Sequence, residues 1–172
     1  MNYIIREIEA KDNKAVENII RTCLIEFDGA REGTAWEDPD LCRFSEIYNT
    51  DEKKYWVAES TESGRLAGGV GIAPLCGIDG ASGSGRVCEL QKMYCIPGVR
   101  GSGISHKLIE TALEHAKKYY DICYLETFGN MIAAQKFYEK YGFTRISKPM
   151  GNTGHYACDV MYIKYLKQIL FT

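Results

Sequence analysis

The sequence predicts an α/β (α+β) fold in one domain over residues 1–172: a mixed, mostly antiparallel sheet of six to seven strands with helices on both faces. Three observations predict it. Short apolar or aromatic runs bounded by Gly, Pro, Asn and Asp recur along the chain, as strands and their turns do. Other segments repeat apolar residues at helical spacing. The helical segment that follows Gly103 stands between two strand-like runs, so strand, helix and strand form a right-handed crossover with the two strands parallel. A chain of 172 residues also buries enough surface for a core without disulfides or metals.

Tyr3 to Ile8 alternates as a strand, and Asp12 then stands where a helix cap belongs. Val16, Ile19, Ile20, Cys23, Leu24 and Phe27 fall on one helical face, which Asp28-Gly29 ends. The next stretch is polar and turn-rich around Trp36, with Leu41, Phe44, Ile47 and Tyr48 suggesting a short second helix. That loop reads either as the cover of a ligand cleft, with Trp36 binding substrate, or as a surface connection in which Trp36 packs. Tyr55 to Glu59 and Arg65 to Leu75 read as paired strands; Gly68, Gly69 and Gly71 mark a bulge or a close approach in the second. Gly77 to Gly85 reads as a hairpin loop before a buried strand, Val87 to Ile96.

A helix from Ser102 to Tyr119 buries Ile104, Leu108, Ile109, Ala112, Leu113 and Ala116. Ile122 to Thr127 is the parallel strand that follows. Asn130 is placed to cap another helix with an apolar face of Ala134, Phe137, Tyr138 and Tyr141, closed by Gly142. Phe143 to Ile146 and Tyr156 to Tyr165 complete the sheet. No repeat, low-complexity tract or linker interrupts it.

A net charge of −2 and a pI near 6.0 argue against a nucleic-acid or membrane-surface binder. No apolar run reaches the length of a membrane span, and the N-terminal residues lack the order of a signal peptide, so a cytoplasmic protein is expected. Cys23, Cys42, Cys76, Cys88, Cys95, Cys123 and Cys158 contain no C-x-x-C pair. They are expected to be buried thiols rather than a zinc or redox site, and no metal is expected.

The chemistry concentrates after the central strand, where Pro97-Gly98 leads through Arg100-Gly101-Ser102-Gly103 directly into a helix. Glycines at Gly101 and Gly103 let backbone amides and the positive helix end converge on a phosphate. No Lys-Ser or Lys-Thr follows, as a Walker loop requires, and the G-x-G-x-x-G spacing of dinucleotide folds is broken. Arg100-Gly101-Ser102-Gly103-Ile104-Ser105 instead resembles motif A of the GNAT superfamily of acetyl-CoA-dependent N-acetyltransferases, R/Q-x-x-G-x-G/A, with Ser105 at the last position. Asn130 to Phe143 resembles motif B of the same superfamily, with Ala134, Phe137, Tyr138, Lys140 and Gly142-Phe143 in place and the Asn one residue early. The runs G-T-A-W-E-D-P-D-L, C-E-L-Q-K-M-Y and G-N-T-G-H-Y-A-C-D-V look like a subgroup of small, largely uncharacterised bacterial members.

The resemblance implies a splayed parallel pair at the centre of the sheet and direct transfer of the acetyl group of acetyl-CoA to a primary amine of a small molecule, without a covalent enzyme intermediate. It places acetyl-CoA on the amides of Arg100, Gly101, Ser102, Gly103, Ile104 and Ser105, on the main chain around Met93, Tyr94 and Cys95, and beside Asn130, Ala134 and Tyr138. Tyr138 is implied as the acid that protonates the departing thiolate, against a role in packing alone. An alkylamine is mostly protonated at neutral pH, so a base is useful. Glu89 is the first candidate, about 20 Å along the strand from Cys95 at a rise of about 3.3 Å per residue. The other reading of Glu89 is a carboxylate bonded within the sheet. Glu126 and His155 are lesser candidates for the base or the acceptor pocket. A protein amine or hydroxyl acceptor, or an inactive CoA-binding sensor, are the alternatives, and the oligomeric state is open, a homodimer included.

Overall fold

The computed structural model describes residues 2–78 and 85–167. The expected hairpin loop from Gly77 to Gly85 therefore falls mostly outside the described residues. Twelve elements follow one another: β1 (Tyr3–Glu7), α1 (Asn13–Glu26), α2 (Phe44–Ile47), β2 (Asn49–Thr50), β3 (Lys53–Ser60), β4 (Leu66–Pro74), β5 (Val87–Cys95), α3 (Ile104–Tyr119), β6 (Ile122–Thr127), α4 (Ile132–Lys140), β7 (Thr144–Ile146) and β8 (Val160–Tyr165).

The sheet has eight strands in the order β1-β3-β4-β5-β6-β8-β7, with β2 folded against β3. β5 and β6 are parallel, and the other pairs are antiparallel. The strand beyond the expected count is β2, a two-residue arm paired with Lys53 and Lys54, too short to carry a sequence pattern. The last strand starts at Val160, because Tyr156 to Cys158 form a turn in which Cys158 N donates to His155 O.

Alternation along β3 builds two cores. Trp56 and Ala58 face α3, with Val70, Ile72, Leu108, Ile109 and Ala112, while Tyr55 and Val57 face α1 and α2, with Val16, Ile20, Leu24, Leu41 and Phe44. The apolar stripes of α1 and α3 bury the residues their spacing predicts, except Phe27, which follows the last turn of α1 and is only partly buried; each fully buried large aliphatic side chain contributes about 2 kcal/mol. Helix α1 ends with Asp28 in the left-handed region and Gly29 N donating to Leu24 O at 2.7 Å. Asp12 precedes α1 without capping it. Its carboxylate accepts instead from Glu9 N and from the Arg6 guanidinium.

Candidate functional site

The site begins where two strands part. β5 pairs with β6 at Val87, Cys88 and Glu89 only, while β6 continues along β8 to Thr127. Beyond Glu89 and Tyr124 the facing edges of β5 and β6 no longer bond to each other, which opens the sheet. On its other edge β5 bulges: Gly71 faces Gln91 and Gly69 faces Tyr94, leaving one extra residue on β5. Lys92 carries the bulge at φ 50°, a strained conformation for a residue with a side chain. Tyr55 OH donates to the Lys92 carbonyl at 3.0 Å and holds the bulge in place. Gly69 and Gly71 are needed opposite it, because a Cβ on either would stand 2.5 or 2.9 Å from the Tyr55 ring.

The bulge turns Lys92 into a small cavity of about 60 Å³, lined by Glu89, Gln91, Glu126, Tyr138 and His155 among others. Lys92 Nζ lies 2.6 Å from Asp38 Oδ2 and 3.3 Å from His155 Nε2, and His155 Nε2 lies 3.0 Å from Asp38 Oδ1. Three distant segments thus meet in one polar cluster. Burial opposes the charge of Asp38, yet the His155 hydrogen bond and the Lys92 charge hold its carboxyl below the usual range. Glu89 is 6% exposed and accepts from Gln91 Nε2 at 2.6 Å, while Tyr48 OH donates to Gln91 Oε1. Burial pushes the Glu89 carboxyl up. Glu126 accepts from Tyr124 OH at 2.6 Å and from Thr153 OH at 2.7 Å.

A second cavity of about 360 Å³ adjoins the first, and Met93, Tyr94, Met131 and Tyr138 line both. Its floor is largely apolar: Phe27, Ile132, Ala134 and Phe137 contribute, and Cys95, Arg100, Ser105 and Asn130 add polar atoms. Tyr138 sits at the junction, 8% exposed, and its hydroxyl has no hydrogen-bond partner among the described residues. Burial raises the pKa of that phenol, so it keeps its proton through the neutral range.

The glycine turn meets the larger cavity through Arg100 and Ser105. Gly101 and Gly103 have φ 80° and 90°, and a Cβ on either would meet nothing within 4 Å, so both glycines face open space. The amides of Ile104, Ser105 and His106 precede the first bond of α3, Lys107 N to Gly103 O at 3.2 Å. They form a helix N-terminus suited to an anion. A diphosphate fits this cradle.

The structure brings Glu89, Met93, Tyr94, Glu126, Tyr138 and His155 to one opening, and places Cys95, Arg100, Ser105, Asn130 and Ala134 on the adjoining cavity. Other expectations need correction. The amides of Arg100 and Ser102 are spent inside the turn, on Pro97 O and Val99 O, and the Arg100 guanidinium pairs with Glu26, at 2.7 Å for its second contact. The Cys95 carbonyl already accepts from Arg100 Nε at 3.1 Å. Asn130 does not cap α4, whose first flanking residue is Met131; Asn130 Nδ2 donates to Phe27 O at 3.0 Å and ties α4 to α1. Trp36 lines neither cavity. It lies under the Arg21 guanidinium, 4.8 Å from the ring centre, while its neighbours Ala35 and Asp38 reach the site. Cys42 and Cys76 are exposed, unlike the buried Cys23, Cys88, Cys95 and Cys123.

Sequence reasoning missed Asp38, Gln91 and Lys92. The glycines of β4 signalled a bulge without saying which residue on the partner strand it would turn inward.

Comparison with known proteins adds an independent line. Residues 14–143 match the model of the acetyltransferase (GNAT) family. A protein of Escherichia coli K12, described as the uncharacterized N-acetyltransferase YjgM, is 36% identical over 165 residues, 95% of each chain. A GNAT-family acetyltransferase from Staphylococcus aureus Mu50 superposes with a TM-score of 0.80 at 22% identity, covering 96% of this chain and all of that one (100%). For yncA of Salmonella typhimurium, solved with its cofactor acetyl-CoA, the TM-score is 0.73 at 17% identity, over 98% of this chain and 96% of that one. The two structural likenesses show the fold.

Proposed function

Because the chain belongs to the acetyltransferase (GNAT) family and is an acyltransferase, we propose that it transfers the acetyl group of acetyl-CoA by direct attack to the primary amine of a small molecule. The reading takes residues 1–172 as one cytoplasmic acetyltransferase domain. No helix among the described residues is long and apolar enough to cross a membrane. One observation carries the proposal: a buried carboxylate, Glu89, and a phenol, Tyr138, without a hydrogen-bond partner among the described residues, line one small cavity at the point where β5 and β6 part.

The residues that would hold acetyl-CoA are the amides of Gly101 and of Gly103 to His106 at the diphosphate, the β5 edge at Met93 and Tyr94, and the apolar face of α4 at Ala134 and Phe137. Bound there, the cofactor supplies an activated thioester carbonyl. Glu89 takes the proton from the incoming ammonium at its carboxylate, directly or through water, and its raised pKa brings it closer to that task. Tyr138 gives its phenolic proton to the sulfur that leaves. A phenol is a weaker acid than a thiol, and burial weakens this one further, so the transfer runs uphill and follows the breaking of the carbon–sulfur bond. Glu126 and His155 orient the acceptor.

The small size of the cavity between Glu89, Glu126 and Tyr138 supports a small amine over a protein segment as acceptor. The test is calorimetric binding of acetyl-CoA, followed by thiol release with a panel of small amines. Binding with turnover on at least one of them is expected, and binding without turnover on any would return the chain to the sensor reading.

A further inference from the structure

The charges around the smaller cavity do not balance. Glu89, Glu126 and Asp38 bring three carboxylates, and Lys92 is the lysine that faces them, with His155 alongside. Lys92 is engaged first with Asp38, and its charge, with that of His155, offsets Glu89 only in part, since the Glu89 pKa stays raised. The Lys92 ammonium lies 2.6 Å from Asp38 and its side chain is 8% exposed, so the pair is close to neutral as a unit. Among the described residues Glu89 and Glu126 accept hydrogen bonds from the neutral groups of Gln91, Tyr124 and Thr153, which satisfy lone pairs without cancelling charge.

The two remaining carboxylates leave the same face of the sheet. Glu89 is the register partner of Tyr124, and Glu126 lies two residues further along β6. A strand spacing of about 4.8 Å and a rise of about 3.3 Å per residue set their backbone positions about 8 Å apart. Tyr138, 8% exposed and with no hydroxyl partner among the described residues, lines the same space. The cavity the two carboxylates share with Tyr138 is small, about 60 Å³.

We infer that the acceptor is a short aliphatic amine with a second cationic group and no carboxylate: Glu89 receives the reacting amine, Glu126 holds the second cation, and Asp38 excludes carboxylates by neutralising Lys92. The inference rests on the proposed acetyl transfer and assigns its substrate class. Asp38 is a specificity-determining residue in this account and takes no part in the proton transfers.

The test compares putrescine, γ-aminobutyrate and n-butylamine as acceptors for the full-length protein with acetyl-CoA, following thiol release. These probes share a four-carbon chain with a primary amine and differ at the far end in a cation, an anion or a methyl group. The kcat/KM for putrescine should exceed that for γ-aminobutyrate by at least about tenfold. Glu126→Gln should raise the putrescine KM about tenfold, and should change that for butylamine less. Asp38→Asn frees the Lys92 ammonium and should shift the ratio toward γ-aminobutyrate. Should Asp38→Asn fail to fold, Glu126→Gln still decides. Equal use of putrescine and butylamine, preference for γ-aminobutyrate, or no turnover of putrescine by protein that binds acetyl-CoA overturns the inference and leaves acetyl transfer standing. Failure to bind acetyl-CoA overturns the transfer itself and the inference with it.

Discussion

At Tyr138 one side chain serves two surfaces. Its ring packs on Phe137, Phe143 and Tyr162, while its hydroxyl reaches the junction of the two cavities. Tyr138→Phe keeps the packing and removes the proton. Turnover should fall about a hundredfold with the acetyl-CoA affinity nearly intact; steady-state kinetics beside calorimetric binding would show it, and unchanged turnover would remove the acid role. Glu89 makes the complementary case. A base must be ionised, and burial raises the Glu89 pKa, so activity should climb with pH through that raised value. Glu89→Gln should lose this ionisation from the pH profile of kcat/KM. A profile that keeps its shape would move the base to Glu126 or His155.

Among elements, β4 shows how a strand of small residues shapes a site it does not line. Gly69→Ala would press a methyl group to 2.5 Å from Tyr55, whose hydroxyl holds the Lys92 carbonyl. A loss of about 2 kcal/mol in stability and a weakened acceptor KM are expected together, read by thermal unfolding and kinetics. A folded variant with wild-type acceptor KM would detach the bulge from acceptor binding. The turn before α3 gives the opposite case, since Gly103 faces open space. Gly103→Val places a branched side chain over the amides at φ 90° and should abolish acetyl-CoA binding, whereas a folded variant that still binds would count against the phosphate assignment. The same two elements show what could be read in advance. The stripes of α1 and α3, the β5-turn-α3 sequence and the parallel β5–β6 pair follow from periodicity and glycine placement, which are local. The inward turn of Lys92 depends on where β4 runs out of side chains, the role of Asp38 on a loop folding back across the sheet, and Asn130 on the position of Phe27. Those are tertiary relations, and no spacing in one segment encodes them.

For the whole molecule, the buried Asp12 and Glu89 and the half-buried Asp38 pull the pH dependence of stability in two directions. Asp12 and Asp38 are both held below their ordinary range against burial, Asp12 by Arg6 and the Glu9 amide, Asp38 by His155 and Lys92. A depressed folded-state pKa stabilises the fold above the unfolded value, near about 3.9 for aspartate, and that contribution is lost as pH falls through the folded value. Glu89 carries the reverse sign. Its raised pKa means that the folded state binds its proton more tightly, so its contribution is present below the unfolded value, near about 4.3, and is lost as pH rises through the folded one. Asp12→Asn should therefore lower Tm by about 5 °C at neutral pH and by less at pH about 3, since breaking the Arg6 contact costs about 2 kcal/mol only while Asp12 is ionised. Glu89→Gln should gain on the wild type as pH rises, because glutamine needs no proton to stay buried. Thermal unfolding of both variants from acid to neutral pH decides between these slopes. Two curves parallel to the wild type would mean that neither carboxylate is held away from its unfolded pKa, and the buried Glu89 would then lack the shift that suits it to serve as a base.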